Sequence, residues 1–134
     1  MEKLYRILIV DDHPTLREGL KAILSVHPNF DIVGEAADGL EATLMVERHL
    51  PDLVLMDISM PRMDGLTATR EIKKKWPETK VLVFTIHESP EYQAAALTSG
   101  ADGYLLKSSS RTEMIDSIKD ILDGKSGFLS NIPE

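Results

Sequence analysis

Short apolar segments recur at regular intervals along the chain, and they constrain its fold more than any other feature. Three of them, residues 7–10, 53–56 and 81–84, are apolar at every position. A strand with one face in water alternates apolar and polar residues, so continuous apolar runs indicate strands covered on both faces. Stretches with helical spacing separate these runs. Such alternation favours a parallel sheet with right-handed helical crossovers.

The full pattern predicts ten elements. Strands are expected at residues 6–11, 30–36, 53–57, 80–85 and 103–107. Helices are expected from Pro14 to the break at 27–29, at 40–49, at 66–76, at 90–99, and from Arg111 or Thr112 to Gly124. Ser89 followed by Pro90 indicates an N-cap and a first-turn proline for the fourth helix.

This number of elements limits the architecture. An eight-stranded barrel needs about 250 residues, so an open sheet is expected. The predicted fold class is α/β, a (βα)5 doubly wound parallel five-stranded sheet formed by residues 1–124. Residues 125–134 show no periodicity and are interpreted as a tail or the start of a linker to an absent output domain.

Composition excludes several classes of protein. The 134 residues include no cysteine, so neither a disulfide framework nor a thiolate metal site is expected. No apolar run approaches the roughly 20 residues that a membrane-spanning helix needs. The net charge of -7 opposes direct binding of nucleic acid by these residues. We expect a cytoplasmic protein that makes no membrane contact.

Polar side chains stand at the carboxyl ends of the predicted strands. Asp11 and Asp12 end the first strand, Asp57 the third, Thr85 the fourth and Lys107 the fifth. Ligands of open parallel sheets bind beyond these ends, where the strand order reverses. Three carboxylates together repel one another unless a cation is present, and oxygen ligands suit Mg2+. The set predicts a site that handles phosphoryl groups.

Four motifs follow one another in order and at a specific spacing: residues 8–14, residues 53–61, Asp64-Gly65, and residues 83–85 with 100–107. With these motifs the chain resembles response-regulator receiver domains of two-component systems over roughly residues 4–124. The details of residues 11–14 and 103–107 are most similar to the LuxR/NarL-type transcriptional regulators. The resemblance implies a flavodoxin-like strand order of 2-1-3-4-5.

The resemblance also implies how the acidic residues act. Asp57 would accept a phosphoryl group from a sensor histidine kinase. Asp12, Asp57 and the main-chain carbonyl of Ser59 would bind Mg2+, with Asp11 acting through water. Such a domain is not an enzyme in the ordinary sense, because it catalyses only its own phosphorylation and dephosphorylation.

The remaining site residues would read the phosphoryl group. Lys107 would pair with Asp57 and then with a phosphoryl oxygen, and Thr85 would donate its hydroxyl to that group. Tyr104 is the expected aromatic switch, moving inward as Thr85 shifts. The switch would act on the face made by the fourth helix, fifth strand and fifth helix.

Some positions depart from the common pattern of the family. Ser108 follows Lys107 where many receivers have proline. Ser59 and His87 stand two residues after Asp57 and Thr85, at positions that tune the phosphoryl lifetime in the family. His13 and His87 show no spacing typical of metal ligands, and neither is assigned as one.

The sequence leaves the output open. The expected output is DNA-binding transcription regulation through a missing helix-turn-helix domain, with homodimerisation on phosphorylation. A partner surface is expected around Tyr92, Ala95 and Ser99. The alternative is a stand-alone receiver that signals through protein contacts.

Two other classes are disfavoured by single positions. An aspartate-nucleophile phosphatase needs a second aspartate where this chain has Ser59. A flavodoxin-like electron carrier needs a Ser/Thr/Gly-rich loop where residues 11–14 stand.

Overall fold

The computed structural model describes residues 3–128 and contains five strands and five helices. The strands are β1 (Tyr5–Val10), β2 (Phe30–Ala36), β3 (Leu53–Met56), β4 (Lys80–Thr85) and β5 (Gly103–Leu106). The helices are α1 (Pro14–Ser25), α2 (Gly39–His49), α3 (Gly65–Lys75), α4 (Pro90–Thr98) and α5 (Arg111–Leu122). No helix in this part of the chain is both long and apolar enough to cross a bilayer.

All strands are parallel, and their order is β2-β1-β3-β4-β5. The order reverses between β1 and β3, whose ends are in register with Val10 opposite Met56. The predicted (βα)5 sheet and its strand order are therefore confirmed. The crevice that this reversal creates lies beyond the carboxyl ends of β1 and β3, which places a site there.

The central strands bury both of their faces. Alternate residues of β1, β3 and β4 point to opposite sides, so each strand contributes to two cores. One core lies under α1 and α5 and includes Ile7, Ile9, Leu55, Leu82 and Ile118. The other lies under α2 and α3 and includes Leu8, Val10, Val54, Val46 and Ile72. This arrangement explains why three strands are apolar at every position.

The helix starts are capped mainly by side chains. Asp38 accepts a hydrogen bond from the Glu41 amide at α2, and Ser110 forms a reciprocal capping box with Glu113 at α5. Ser89 occupies the predicted N-cap position of α4, but its side chain makes no capping hydrogen bond. Pro90 at the first helical position accounts for that start, because its fixed φ already suits a helix.

One residue of the expected α4 surface, Ser99, is not exposed. Ser99 is buried and its hydroxyl donates to the Ala95 carbonyl, while Arg70 of α3 donates to it. Three consecutive alanines give α4 no apolar stripe that marks its inner face. Tyr92 remains 40% exposed on the outer side of the helix.

The segment after α5 turns back along β5. Gly124 has a φ of 88°, and Gly127 forms a parallel bridge with Gly103. Part of the predicted tail is thus paired with the sheet. Residues 129–134 of that prediction lie outside the described residues.

Candidate functional site

The five predicted site positions meet at the carboxyl edge of the sheet. Asp11 and Asp12 follow the end of β1, and Asp57 follows the end of β3. Thr85 is the last residue of β4, and Lys107 follows β5. Because all strands are parallel, these ends open into the same crevice.

Three carboxylates and one imidazole cluster in the crevice. Ligand atoms of Asp11, Asp12, His13 and Asp57 all lie within 4.8 Å of one another. Asp11 is 1% exposed and Asp57 is 4% exposed, although carboxylates are rarely buried without partners. Burial of this much negative charge indicates a site that takes up positive charge.

Lys107 supplies one positive charge. Its Nζ atom lies 2.7 Å from Asp11 Oδ2 and 3.5 Å from Asp57 Oδ1. The resemblance implied a pair between Lys107 and Asp57, whereas the ammonium lies closer to Asp11. One ammonium between two carboxylates leaves the group with excess negative charge.

This imbalance shows in the two buried aspartates. Burial, and then the charge of Asp11, raise the pKa of Asp57 above its usual value. Burial alone would raise the pKa of Asp11, but Lys107 and hydrogen bonds from His13 lower it overall. The pKa values of the two neighbouring carboxyl groups therefore shift in opposite directions, and the charge of Asp57 is the less completely compensated of the two.

Asp12 offers a free ligand atom. Its Oδ1 atom is buried and accepts no hydrogen bond, although His13 Nδ1 lies 3.1 Å away. Both oxygens of Asp11 are engaged, by Lys107 and by His13. A buried carboxylate oxygen without a donor fits coordination of a hard cation such as Mg2+.

The backbone around Asp57 is closely packed. The Asp57 amide donates to the Val10 carbonyl, and the Ile58 amide donates to Asp57 Oδ1 at 2.9 Å. Gly65, at the start of α3, lies so close that a Cβ atom there would collide with the Asp57 carbonyl oxygen. From the sequence, Gly65 was singled out only as part of the Asp64-Gly65 motif, so this packing role was missed.

His87 connects the site to its surroundings. A hydrogen bond of 2.9 Å joins its Nε2 atom to Ser59 Oγ, across the mouth of the crevice. Its amide donates to Thr85 Oγ1 at 3.2 Å, and its ring stacks on Tyr92 at 4.1 Å. Thr85 is fully buried, and its hydroxyl hydrogen remains available for a further acceptor.

Tyr104 lies inward in this structure. It is 7% exposed, and its hydroxyl donates to the His87 carbonyl at 2.6 Å. Burial, with a smaller effect of Tyr92, raises the pKa of Tyr104 to about 12. The hydroxyl is therefore a hydrogen-bond donor at neutral pH.

Two further contacts hold the loops of the site and were not predicted. Arg17 of α1 donates to the Asp11 carbonyl and to Glu35 Oε1. Arg62, which has a φ of 66°, donates to Asp38 Oδ2 at 2.8 Å and ties the loop after β3 to the start of α2. Because these partners come from separate elements, only the topology brings them together.

The Lys107–Ser108 peptide bond is trans.

Comparison with known proteins decides the family. The model of the response regulator receiver domain matches residues 7–119, which is most of the chain. The chain belongs to this family. The receiver assignment is confirmed.

Individual relatives agree with this assignment. The transcriptional regulatory protein DegU of Brevibacillus brevis is 42% identical over 123 residues, which are 92% of this chain and 52% of that protein. A LuxR-family two-component response regulator from Aurantimonas sp. SI85-9A1 has a TM-score of 0.90 at 36% identity, covering 96% of this chain and 91% of that one.

A chain of the CheX-CheY-BeF3-Mg complex from Borrelia burgdorferi has a TM-score of 0.82 at 28% identity, covering 87% of this chain and 88% of that one. The curated relatives are regulators of the LuxR/NarL type, and this receiver domain spans about half the length of those it matches.

Proposed function

We propose that Asp57 is the phosphoacceptor of this receiver domain. A carboxylate oxygen attacks the phosphorus of a phosphohistidine, the phosphorus–nitrogen bond breaks, and an aspartyl phosphate forms. The observation that carries the proposal is the excess charge on buried Asp57 beside Lys107. Such a site favours an incoming cation, which would compensate the charge and allow the carboxylate to approach the phosphoryl group.

The residues that would hold Mg2+ are Asp12, Asp57 and the main-chain carbonyl of Ser59, with Asp11 acting through water. The free, buried Oδ1 atom of Asp12 supports this set. Bound there, Mg2+ would neutralise charge on the phosphoryl oxygens. Autophosphorylation and autodephosphorylation would be the only reactions that the domain promotes.

Lys107 and Thr85 would stabilise the product. The Lys107 ammonium, already within 3.5 Å of Asp57, would move to a phosphoryl oxygen. The Thr85 hydroxyl would donate to another, since it has a free hydrogen. Phosphorylation adds nearly two negative charges and three acceptor oxygens, so both contacts gain strength only in the phosphorylated state.

The phosphodonor would be a sensor histidine kinase, and the output would be transcription regulation. DegU is named as a transcriptional regulatory protein, and it extends well beyond the region that this chain matches. DNA would be bound only through such a further domain, because this domain is acidic. Homodimerisation on phosphorylation would use the face around Tyr92 and Ala95.

The test is the intact mass after incubation with acetyl phosphate and Mg2+. We expect one added phosphoryl group, and none without Mg2+ or in Asp57→Ala. Asp116→Ala, at an exposed site on α5, is the matched control and should be modified like the parent. No added mass in the parent protein, or equal modification of Asp57→Ala, would overturn the proposal.

A further inference from the structure

The outer edge of β5 is covered by the segment that follows α5. β5 is an edge strand, and such edges expose unpaired backbone groups. The Gly127 amide donates to the Asp102 carbonyl at 2.8 Å, and the Tyr104 amide donates to the Gly127 carbonyl at 3.3 Å. Residues 126–128, which we call the strap, therefore lie against β5 and pair with it through one parallel bridge at Gly127.

Two glycines allow the strap to lie this close. A Cβ atom on Gly127 would stand 2.8 Å from the Gly103 Cα atom and 2.6 Å from Ile121 Cδ1. A Cβ atom on Gly103 would meet the same two neighbours, the Gly127 Cα atom and Ile121 Cδ1. Because Ile121 is completely buried, it has little room to yield. Glycine at both positions is what this backbone approach needs.

The strap also contributes a side chain to the core around the predicted switch. Phe128 packs against a buried cluster formed by Ile58, Val83, Ala96, Ala101 and Tyr104. Tyr104 thus contacts the strap through its amide and shares a cluster with Phe128. Its hydroxyl, at the other end of the side chain, binds the His87 carbonyl.

A continuous series of contacts joins the site to the strap. Thr85 Oγ1 accepts from the His87 amide, and the His87 carbonyl accepts from the Tyr104 hydroxyl. The Tyr104 amide then donates to Gly127. An outward swing of the Tyr104 ring would break the bond to His87 and open the cluster on which Phe128 packs. The docked strap therefore favours the inward position of Tyr104.

We propose that the strap is the output element of this domain: phosphorylation of Asp57 favours inward Tyr104 and so fixes residues 126–128 on β5. The strap would thereby orient whatever the chain continues into after α5. This inference rests on the proposed function, because it assumes that Thr85 responds to a phosphoryl group on Asp57. Coupling between two sites is reciprocal, so loss of the strap must weaken binding of a phosphoryl mimic.

Hydrogen exchange measured by NMR tests the coupling in the parent protein. Beryllofluoride with Mg2+ serves as the phosphoryl mimic. We expect the Tyr104 and Gly127 amides to exchange about fivefold more slowly with the mimic bound, which is the lower range of such couplings. The Asp102 amide, which donates to Val81 on the β4 side, is the internal control.

Gly127→Ala and Phe128→Ala test the reciprocal effect. Both should bind beryllofluoride about fivefold more weakly than the parent. Gly19→Ala is the matched control, because a Cβ atom at Gly19 meets no atom within 4 Å, and its affinity should equal that of the parent. Phe128→Ala keeps the backbone pairing and separates loss of packing from a collision at Ile121.

The outcomes separate the two proposals. Binding of beryllofluoride with unchanged or faster exchange at Tyr104 and Gly127 overturns the strap proposal and leaves the phosphoacceptor site standing. Parent-like affinity in both strap variants overturns it as well. Failure of the parent to bind beryllofluoride overturns the proposed function, and the strap proposal with it.

Discussion

A lysine–aspartate pair lies at each end of the parallel strands, which we call the amino edge and the carboxyl edge of the sheet. The pairs differ in how completely their charges and hydrogen-bonding groups find partners. At the amino edge, Lys73 Nζ donates to Asp102 Oδ2 at 2.9 Å and to the carbonyls of Pro77 and Thr79. The same Asp102 oxygen accepts from the Val81 amide. Here one ammonium meets one carboxylate, and several neutral groups complete the network.

At the carboxyl edge, one ammonium meets three carboxylates. Lys107 is shared between Asp11 and Asp57, and Asp12 has an oxygen without a donor. The difference teaches how a fold separates stability from function with the same residue types. A closed network stabilises the folded state, whereas an open one leaves charge that a ligand can neutralise.

The largest difference in stability between the two edges is expected when the glycine beside each pair is replaced by alanine. Gly65→Ala should lower the free energy of unfolding by about 3 kcal/mol and abolish phosphorylation, because the new Cβ atom displaces the Asp57 backbone. Gly100→Ala, near Lys73, should cost about 1 kcal/mol, since its φ of 93° is strained but its surroundings are less crowded. Urea unfolding and intact mass measure both. Equal losses of unfolding free energy in the two variants would contradict the contrast between the two edges.

Removal of each lysine should separate the two functions. Lys107→Ala should slow phosphorylation by acetyl phosphate about hundredfold, because a charged partner of the reacting group is lost. Lys73→Ala should phosphorylate at the parent rate and lose about 2 kcal/mol of stability, since Asp102 keeps only its neutral donor. A slow reaction in Lys73→Ala at a temperature where it is folded would contradict this assignment.

Added Mg2+ should stabilise the protein through the carboxyl edge alone. At a concentration ten times the dissociation constant, the gain is about 1.4 kcal/mol. Asp12→Asn should lose this gain, because the unpaired oxygen is the proposed ligand. Asp102→Asn should be less stable than the parent without Mg2+ but should gain the same stability when Mg2+ is added. Thermal unfolding with and without EDTA gives both values, and an undiminished response in Asp12→Asn would refute the ligand set.

The strands and most residues of the carboxyl edge could be predicted from the sequence. The apolar runs located the strands, and parallel geometry then required Asp11, Asp57, Thr85 and Lys107 to share one edge. The partner of Lys107 was not accessible, because a choice between Asp11 and Asp57 depends on differences of about an ångström.

The contacts between loops were equally out of reach. Ser59 and His87 lie 28 residues apart on separate loops, and either side chain alone suggests only a polar surface. Ser99 was placed outward because the alanines of α4 carry no pattern, whereas the structure buries it against Arg70. The strap was interpreted as a tail, since three residues show no periodicity.

The most direct test of the contrast is the stability of Asp57→Asn beside Asp102→Asn, by urea unfolding in EDTA. The raised pKa of Asp57 means that its ionised form opposes folding at neutral pH, and protonation relieves this as pH falls through the folded-state value. Asp57→Asn should therefore be more stable than the parent at pH 7, with the gap closing at acidic pH. Asp102→Asn should be less stable. An Asp57→Asn variant no more stable than the parent would contradict the account.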